Sequence, residues 1–294
     1  MRILFIGTVE FSRLTLEKIF EMGGFVVGIC TSTCQKLNAD YADLSPFATK
    51  YKIPLIQVGD INSQESVAWI SEKKPDVIFC FGWSRLLKND VLRIAPMGVV
   101  GFHPAELPRN RGRHPIIWAL VLGLKKTAST FFFMDSGADS GDILSQSLIE
   151  IDANDDAATL YNKIVTTALT QIEQFLPMLK SGEYKQIKQD HSLANYWRKR
   201  NRNDGMIDWR MTASSIDSLV RALSKPYVGA HFVLLENDIK VWKTEVQKFA
   251  GEDAEPGKIV SIEDGNYPVI KCGIDAIKII HADPFFKVEI GKYL

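Results

Sequence analysis

At 294 residues the chain is long enough for one large or two modest domains, and its 46% apolar and 24% charged residues support a sizeable core and exclude wholesale disorder. The 35 lysines and arginines balance the 35 aspartates and glutamates. A partner read mainly through a nucleic-acid backbone is therefore disfavoured, while a local basic patch for one anionic small molecule stays open.

The first strand-like run, "RILFIG", opens an N-terminus with no long apolar h-region, and no apolar run in the chain has the length of a membrane span. A cytoplasmic protein without a membrane partner is expected. A helix with apolar residues at helical spacing follows in "SRLTLEKIFEMG", then a strand in "FVVGICTS", a short helix in "LSPFATKYK" and a strand in "IPLIQV". The helix "SQESVAWISEKK", the strand "DVIFCF", the helix "RLLKNDVLRIA" and the strand "GVVGF" continue the alternation. After them come the helix "WALVLGL", the strands "TASTFFFMD" and "DILSQSLIEI", and a long helix from about residue 155 to 180. Strands alternating with helices predict an α/β fold: a Rossmann-like, mostly parallel sheet with helices on both faces.

The segment "QDHSLANYWRKRNRNDG" is polar, basic and without clear periodicity, and reads as a boundary. One helix, "TASSIDSLVRALS", and the strand-like runs "GAHFVLL", "IKVWKTEVQ", "GKIVSI", "PVIKC" and "AIKIIHA" follow, with turn signals between them. They predict a smaller β domain, a barrel or curled sheet. The expected division is a domain over 1–190, a linker over 191–204 and a second domain over 205–294. Of the cysteines Cys30, Cys34, Cys80 and Cys272, three lie in apolar runs and none forms a C-x-x-C pair, so buried reduced thiols are expected rather than a disulfide or metal framework.

Parallel sheets bind ligands beyond the carboxyl ends of their strands. The loop "GTVEF" after the first strand has Gly7 but not the further glycines of a dinucleotide fingerprint, which argues against NAD or FAD. After "GVVGF" stands His103, followed by the stiff, basic loop "PAELPRNRGRHP". A second polar loop, "MDSGADSGDIL", offers Asp135, Asp139 and Asp142 between glycines. A carboxylate reaching His103 would raise its basicity, as a general base requires; ordinary turn chemistry accounts equally well for these aspartates.

The stretch "FHPAELPRNRGRHP" resembles the H-x-S-L-L-P-x-x-R-G-x-x-P motif of the folate-dependent formyltransferases, and "MDSGADSGDIL" is similar to their D-x-G-x-D-x-G-x-I loop. "GTVEF" resembles their N-terminal G-T-x-x-F, and "RKRNRNDGMIDW" with the residues after it resembles the second domain of the nucleotide-sugar branch, in particular the formyltransferase domain acting on a UDP-linked 4-amino-4-deoxyarabinose. The resemblance implies transfer of a formyl group from N10-formyltetrahydrofolate, without a metal, to a primary amine, and a second domain like an OB barrel. It makes His103 the general base and Asp139 the residue that orients it. It places the folate on Arg85, Leu86, Leu87 and Arg113 and on the loop Asp135, Ser136, Gly137, Ala138 and Asp139. By resemblance the acceptor is a nucleotide-linked amino sugar, with UDP favoured over dTDP, and its product serves surface polysaccharides. A homodimer is compatible with the relatives. Arg198, Lys199 and Arg200 are the candidates for the diphosphate, since arginine suits bidentate contact with phosphate oxygens.

One position departs from the motif. The family places an asparagine two residues before the histidine, where its amide stabilises the developing oxyanion; this chain has Gly101, and Ala105 and Glu106 replace the motif's serine and a leucine. A water in the vacated space is the expected substitute. A methionyl-tRNA formyltransferase and a catalytically silent folate- or sugar-binding relative are the alternatives.

Overall fold

The computed structural model of the protein describes residues 1–32, 40–251, 253–264 and 266–294; Cys34 lies outside the described residues. In chain order the first elements are β1 (Arg2–Ile6), α1 (Glu10–Glu21), β2 (Phe25–Ser32), α2 (Ser45–Tyr51), β3 (Leu55–Val58), α3 (Gln64–Glu72), β4 (Val77–Cys80), α4 (Asn89–Leu92) and β5 (Val99–His103). They continue with β6 (Arg111–Gly112), α5 (Pro115–Val121), β7 (Lys126–Phe133), β8 (Ile143–Glu150), α6 (Ala157–Ser181) and β9 (Tyr196–Trp197). The last are α7 (Ala213–Ala222), β10 (Ala230–Leu234), β11 (Asn237–Gln247), β12 (Ile259–Glu263), β13 (Tyr267–Lys271) and β14 (Ala276–Asp283).

The large sheet has the order β3-β2-β1-β4-β5-β7-β8. β1 to β5 pair in parallel, whereas β5 and β7 are antiparallel, with His103 opposite Thr130 and Val100 opposite Phe133. The near-continuous apolar runs of β1, β2 and β4 are explained by two covered faces. Side chains alternate along a strand. Leu4, Ile6, Ile78 and Cys80 face one cluster with Ile70 of α3 and Val91 of α4. Phe79 and Phe131 meet Phe175 of α6 edge-on, and Phe81 packs against Phe11 of α1. Helix α3 starts where Ser63 accepts from the backbone N–H of Ser66, as an N-cap should.

The predicted helix "RLLKNDVLRIA" forms only over α4. The residues before it are drawn into a loop: Asn62 accepts from the Lys88 N–H at 2.7 Å and donates to the Leu86 carbonyl at 3.0 Å, so backbone groups that a helix would use are already taken.

Two compact units are distinguished. The first comprises Met1–Pro115, Thr127–Ile149 and Asn162–Trp197; the second comprises Ile116–Lys126, Glu150–Tyr161 and Arg198–Leu294. The second contains a five-stranded antiparallel sheet of order β10-β11-β14-β13-β12, the smaller β domain expected from its short strands and turn signals. The segment read as a linker holds β9, whose two residues pair in parallel with β6. Cys30, Cys80 and Cys272 are free and buried. Cys30 and Cys80 both stand opposite Ile6 on either side of β1, so an intervening strand separates the two thiols. Burial pushes the Cys80 and Cys272 thiols up to about 12 and the Cys30 thiol higher still.

Candidate active site

His103 is the last residue of β5, at the carboxyl end of the parallel strands, and is 4% exposed. The chain leaving it is tied to its neighbours in the sheet. Thr130 donates its hydroxyl to the Ala105 carbonyl at 2.7 Å, and Gln146 of β8 donates to the Leu107 carbonyl at 2.9 Å. The loop then turns back so that the Asn110 carbonyl lies 2.8 Å from His103 Nε2.

A carbonyl oxygen only accepts, so Nε2 must carry the proton. In the neutral ring the lone pair is therefore on Nδ1. That atom faces Asp139 Oδ2 at 3.6 Å, beyond hydrogen-bond reach but close enough for a charge pair once the ring is protonated. Asp139 is held separately: its Oδ2 accepts from the Gly112 N–H at 2.8 Å. The tautomer is thus set by Asn110, a residue the sequence reading did not single out, and the carboxylate is left to stabilise an imidazolium.

Asp139 reaches this position by an indirect route. Because β7 is antiparallel to β5, its end at Phe133 lies beside Val100, three residues before His103. The following loop doubles back. The Met134 N–H donates to the Val99 carbonyl at 2.7 Å, and a Cβ built on Gly101 would lie 2.7 Å from Met134 Cγ and 3.0 Å from its Sδ. Gly101 and His103 share a face of β5 by alternation. The space beside Gly101, expected to be open to a water, is filled by Met134. Gly101 is not in the left-handed region, so what it provides is close approach rather than an unusual turn.

Two segments were expected to hold the folate. In the first, Arg85 donates to the Gly59 carbonyl, Leu86 is 65% exposed and Leu87 is buried. Arg113 fastens this segment through a 2.6 Å bond from its guanidinium to the Ser84 carbonyl. Beside it Trp83 buries an indole N–H that has no acceptor among the described residues. In the second, Asp135 accepts from the Gly137 N–H and the Ser140 hydroxyl at 2.9 and 2.6 Å. Asp135, Ser136 and Gly137 are exposed, while Ala138 and Asp139 are half-buried. An exposed apolar side chain and an orphaned buried donor suit a flat heteroaromatic ring with acceptor atoms. Among the described residues no group of three His, Cys, Asp or Glu could hold a metal ion.

The basic cluster belongs to the second unit and is engaged there. Arg198 makes a bidentate pair with Asp204, which holds that carboxyl well below the usual range. Trp118 donates its indole N–H to the Arg198 carbonyl at 3.0 Å, and both Arg198 and Arg200 stack on its ring, at 5.5 and 4.6 Å from the centroid. Arg200 is 9% exposed and its guanidinium pKa is lowered by that burial. Arg198, at 59%, and Lys199 are exposed.

Comparison with known proteins agrees with this arrangement. The family model described as Formyl transferase matches residues 1–174, and that of its C-terminal domain matches residues 199–287. The chain is 31% identical over 301 residues to a methionyl-tRNA formyltransferase of Caldanaerobacter subterraneus subsp. tengcongensis, covering all of this chain and 96% of that one. It is 29% identical to the bifunctional polymyxin resistance protein ArnA of Wigglesworthia glossinidia brevipalpis, covering 96% of this chain and 43% of that protein. Among solved structures, the sugar 3N-formyltransferase WlaRD, with dTDP and 5-N-formyl-THF, superposes with a TM-score of 0.70 at 19% identity, covering 95% of this chain and 97% of that one. An N-formyltransferase of Helicobacter canadensis, with folinic acid and dTDP-3-aminofucose, superposes with a TM-score of 0.72 at 18% identity, covering 94% and 98%. Two family models in the right order, over a histidine and an aspartate that the fold brings together, lead to one conclusion: this chain belongs to the formyl transferase family and is an enzyme of that family.

Proposed function

We propose that the protein transfers a formyl group from N10-formyltetrahydrofolate to the free amine of a nucleotide-linked amino sugar, with His103 as general base. The observation that carries this reading is the Asn110 carbonyl on Nε2, which leaves the Nδ1 lone pair as the ring's only basic site, beside Asp139. Bound formyltetrahydrofolate supplies the formyl carbon. Nδ1 takes the proton that the amine must lose as its nitrogen bonds to that carbon. Asp139 stabilises the imidazolium, and the ring returns to neutral by passing that proton to N10 of the folate as the bond between N10 and the formyl carbon breaks and tetrahydrofolate leaves. The backbone of Arg85 to Leu87 and of Asp135 to Asp139, with Arg113 fastening the first segment, forms the folate cradle.

The acceptor reading draws on the neutral total charge and on the nucleotide-sugar enzymes among the structural neighbours. Arg198, held in place by Asp204, and the exposed Lys199 are the groups offered to a diphosphate, while Arg200 supports them from beneath on Trp118. The methionyl-tRNA formyltransferase relative favours the second reading, an acceptor transfer RNA. Incubation with formyltetrahydrofolate and, in separate arms, UDP-linked and dTDP-linked amino sugars and initiator methionyl-tRNA decides between them. Formylation of a nucleotide-linked amino sugar is expected, and the UDP arm to be the faster. Formylation of the transfer RNA alone would replace the proposal with the second reading. Formylation of none would make the protein a silent relative.

A further inference from the structure

Arg111 is 1% exposed and meets no carboxylate among the described residues. Its guanidinium donates twice to Gln189 Oε1, at 3.2 and 2.6 Å, once to the Tyr196 hydroxyl at 2.9 Å, and contacts His191 Nδ1 at 3.1 Å. A buried cation without a counter-ion is costly, so these bonds must hold it firmly. Gln189, 6% exposed, has its own orientation set by them. With Oε1 facing the guanidinium, its amide nitrogen donates to the carbonyls of Asp139 at 2.9 Å and of Gly141 at 2.6 Å. All the amide's hydrogen-bonding groups are used, and flipping it would set donor against donor and acceptor against acceptor.

The carbonyl so gripped belongs to Asp139, whose backbone lies in the left-handed region at φ 53°. The next residue of Arg111's own strand, Gly112, grips the Asp139 carboxylate. The two ends of Asp139, backbone and side chain, are thus fastened from consecutive residues of β6, one directly and one through Gln189. The anchor is itself braced: β6 pairs with β9, and Ile187, two residues before Gln189, exchanges both backbone bonds with Ile143, two residues beyond Gly141.

We propose that Arg111 and Gln189 are positioning residues for formyl transfer, a clamp that fixes the Asp139 carboxylate against His103 Nδ1 without touching the reacting atoms. The proposal rests on the reading of His103 and Asp139 given above. Gln189→Glu keeps a partner for Arg111 but turns an oxygen toward the two carbonyls; Gln189→Met removes the donors at similar volume. In either variant kcat falls about 10–100-fold, as for a sub-ångström to ångström misplacement of a catalytic group, while KM for folate and acceptor stays within about threefold. In an Asp139→Asn background the same substitution costs less than about threefold, because the carboxylate it positions is gone.

Parental kcat in both Gln189 variants overturns the clamp. So does a loss of the same size in the Asp139→Asn background, a change confined to KM, or failure of both variants to fold, which would make the pair an element of stability. Asp139→Asn alone at parental kcat is a different failure: it removes the reading of Asp139, and the clamp with it. An impaired Asp139→Asn beside unimpaired Gln189 variants removes only the clamp.

Discussion

Met134 packs against Gly101 so closely that a Cβ there would lie 2.7 Å from its Cγ. The loop that carries Asp139 passes over β5 at this point, and a side chain on Gly101 would push against its first residue. Gly101→Asn therefore displaces Met134, and with it the loop; turnover is expected to fall about tenfold or more. Gly101→Asn combined with Met134→Ala supplies both the amide and the space, and is expected to recover at least parental turnover. Steady-state rates of the single and double variants check this. A fully active Gly101→Asn single variant would show that Met134 moves freely.

His103→Asn is expected to lower turnover by ~10²–10⁴ with folate affinity kept, since in the proposed mechanism the ring's Nδ1 transfers the proton and does not hold the cofactor. Asp139→Asn acts on the same proton transfer, so the double variant loses far less than the product of the two single effects. Single-turnover rates together with folate titration separate chemistry from binding. His103→Asn within threefold of the parent would remove the base from the mechanism.

Gly112 has φ 106°, and a Cβ on it would collide with the Trp197 carbonyl oxygen. Gly112→Ala forces β6 and β9 apart and moves the N–H that Asp139 accepts. The backbone conformation alone costs about 1–3 kcal/mol, so a lower melting temperature and a larger drop in kcat than in KM are expected together. Thermal melts and kinetics on one preparation test the pair of effects.

His231, in β10, is 2% exposed and its Nε2 has no partner among the described residues. Burial pushes its pKa down, and Lys240 and Arg202 push the same way against the smaller opposite pull of Asp238. The unfolded chain therefore takes up this proton first as pH falls. Stability is full above about pH 6.5, the ordinary histidine value, and declines as pH drops from there toward the folded-state value. The melting temperature is expected to fall between pH 7.5 and 5.5, and His231→Phe to show a shallower fall over that range. Equal slopes would exclude His231 as the source.

The alternation of apolar runs with helical patterns was enough to establish the large sheet, its mostly parallel character and the separate β unit, because burial on both faces writes itself into local composition. The resemblance of two motifs pointed to His103 and Asp139, which the fold places 3.6 Å apart. Chain direction and long-range pairing were not local properties. That β7 runs against β5, that Asp139 returns to His103 by a loop pressed on Gly101, and that Asn110 rather than a carboxylate sets the tautomer all depend on where a distant backbone lies. Gln189 and Arg111 read as an ordinary polar residue and one arginine among several until β6 met β9, 85 residues away. The basic cluster shows the same limit from the other side. Charge is visible in a sequence, but whether an arginine faces solvent or lies against Trp118 with Asp204 is decided only when the fold supplies its neighbours.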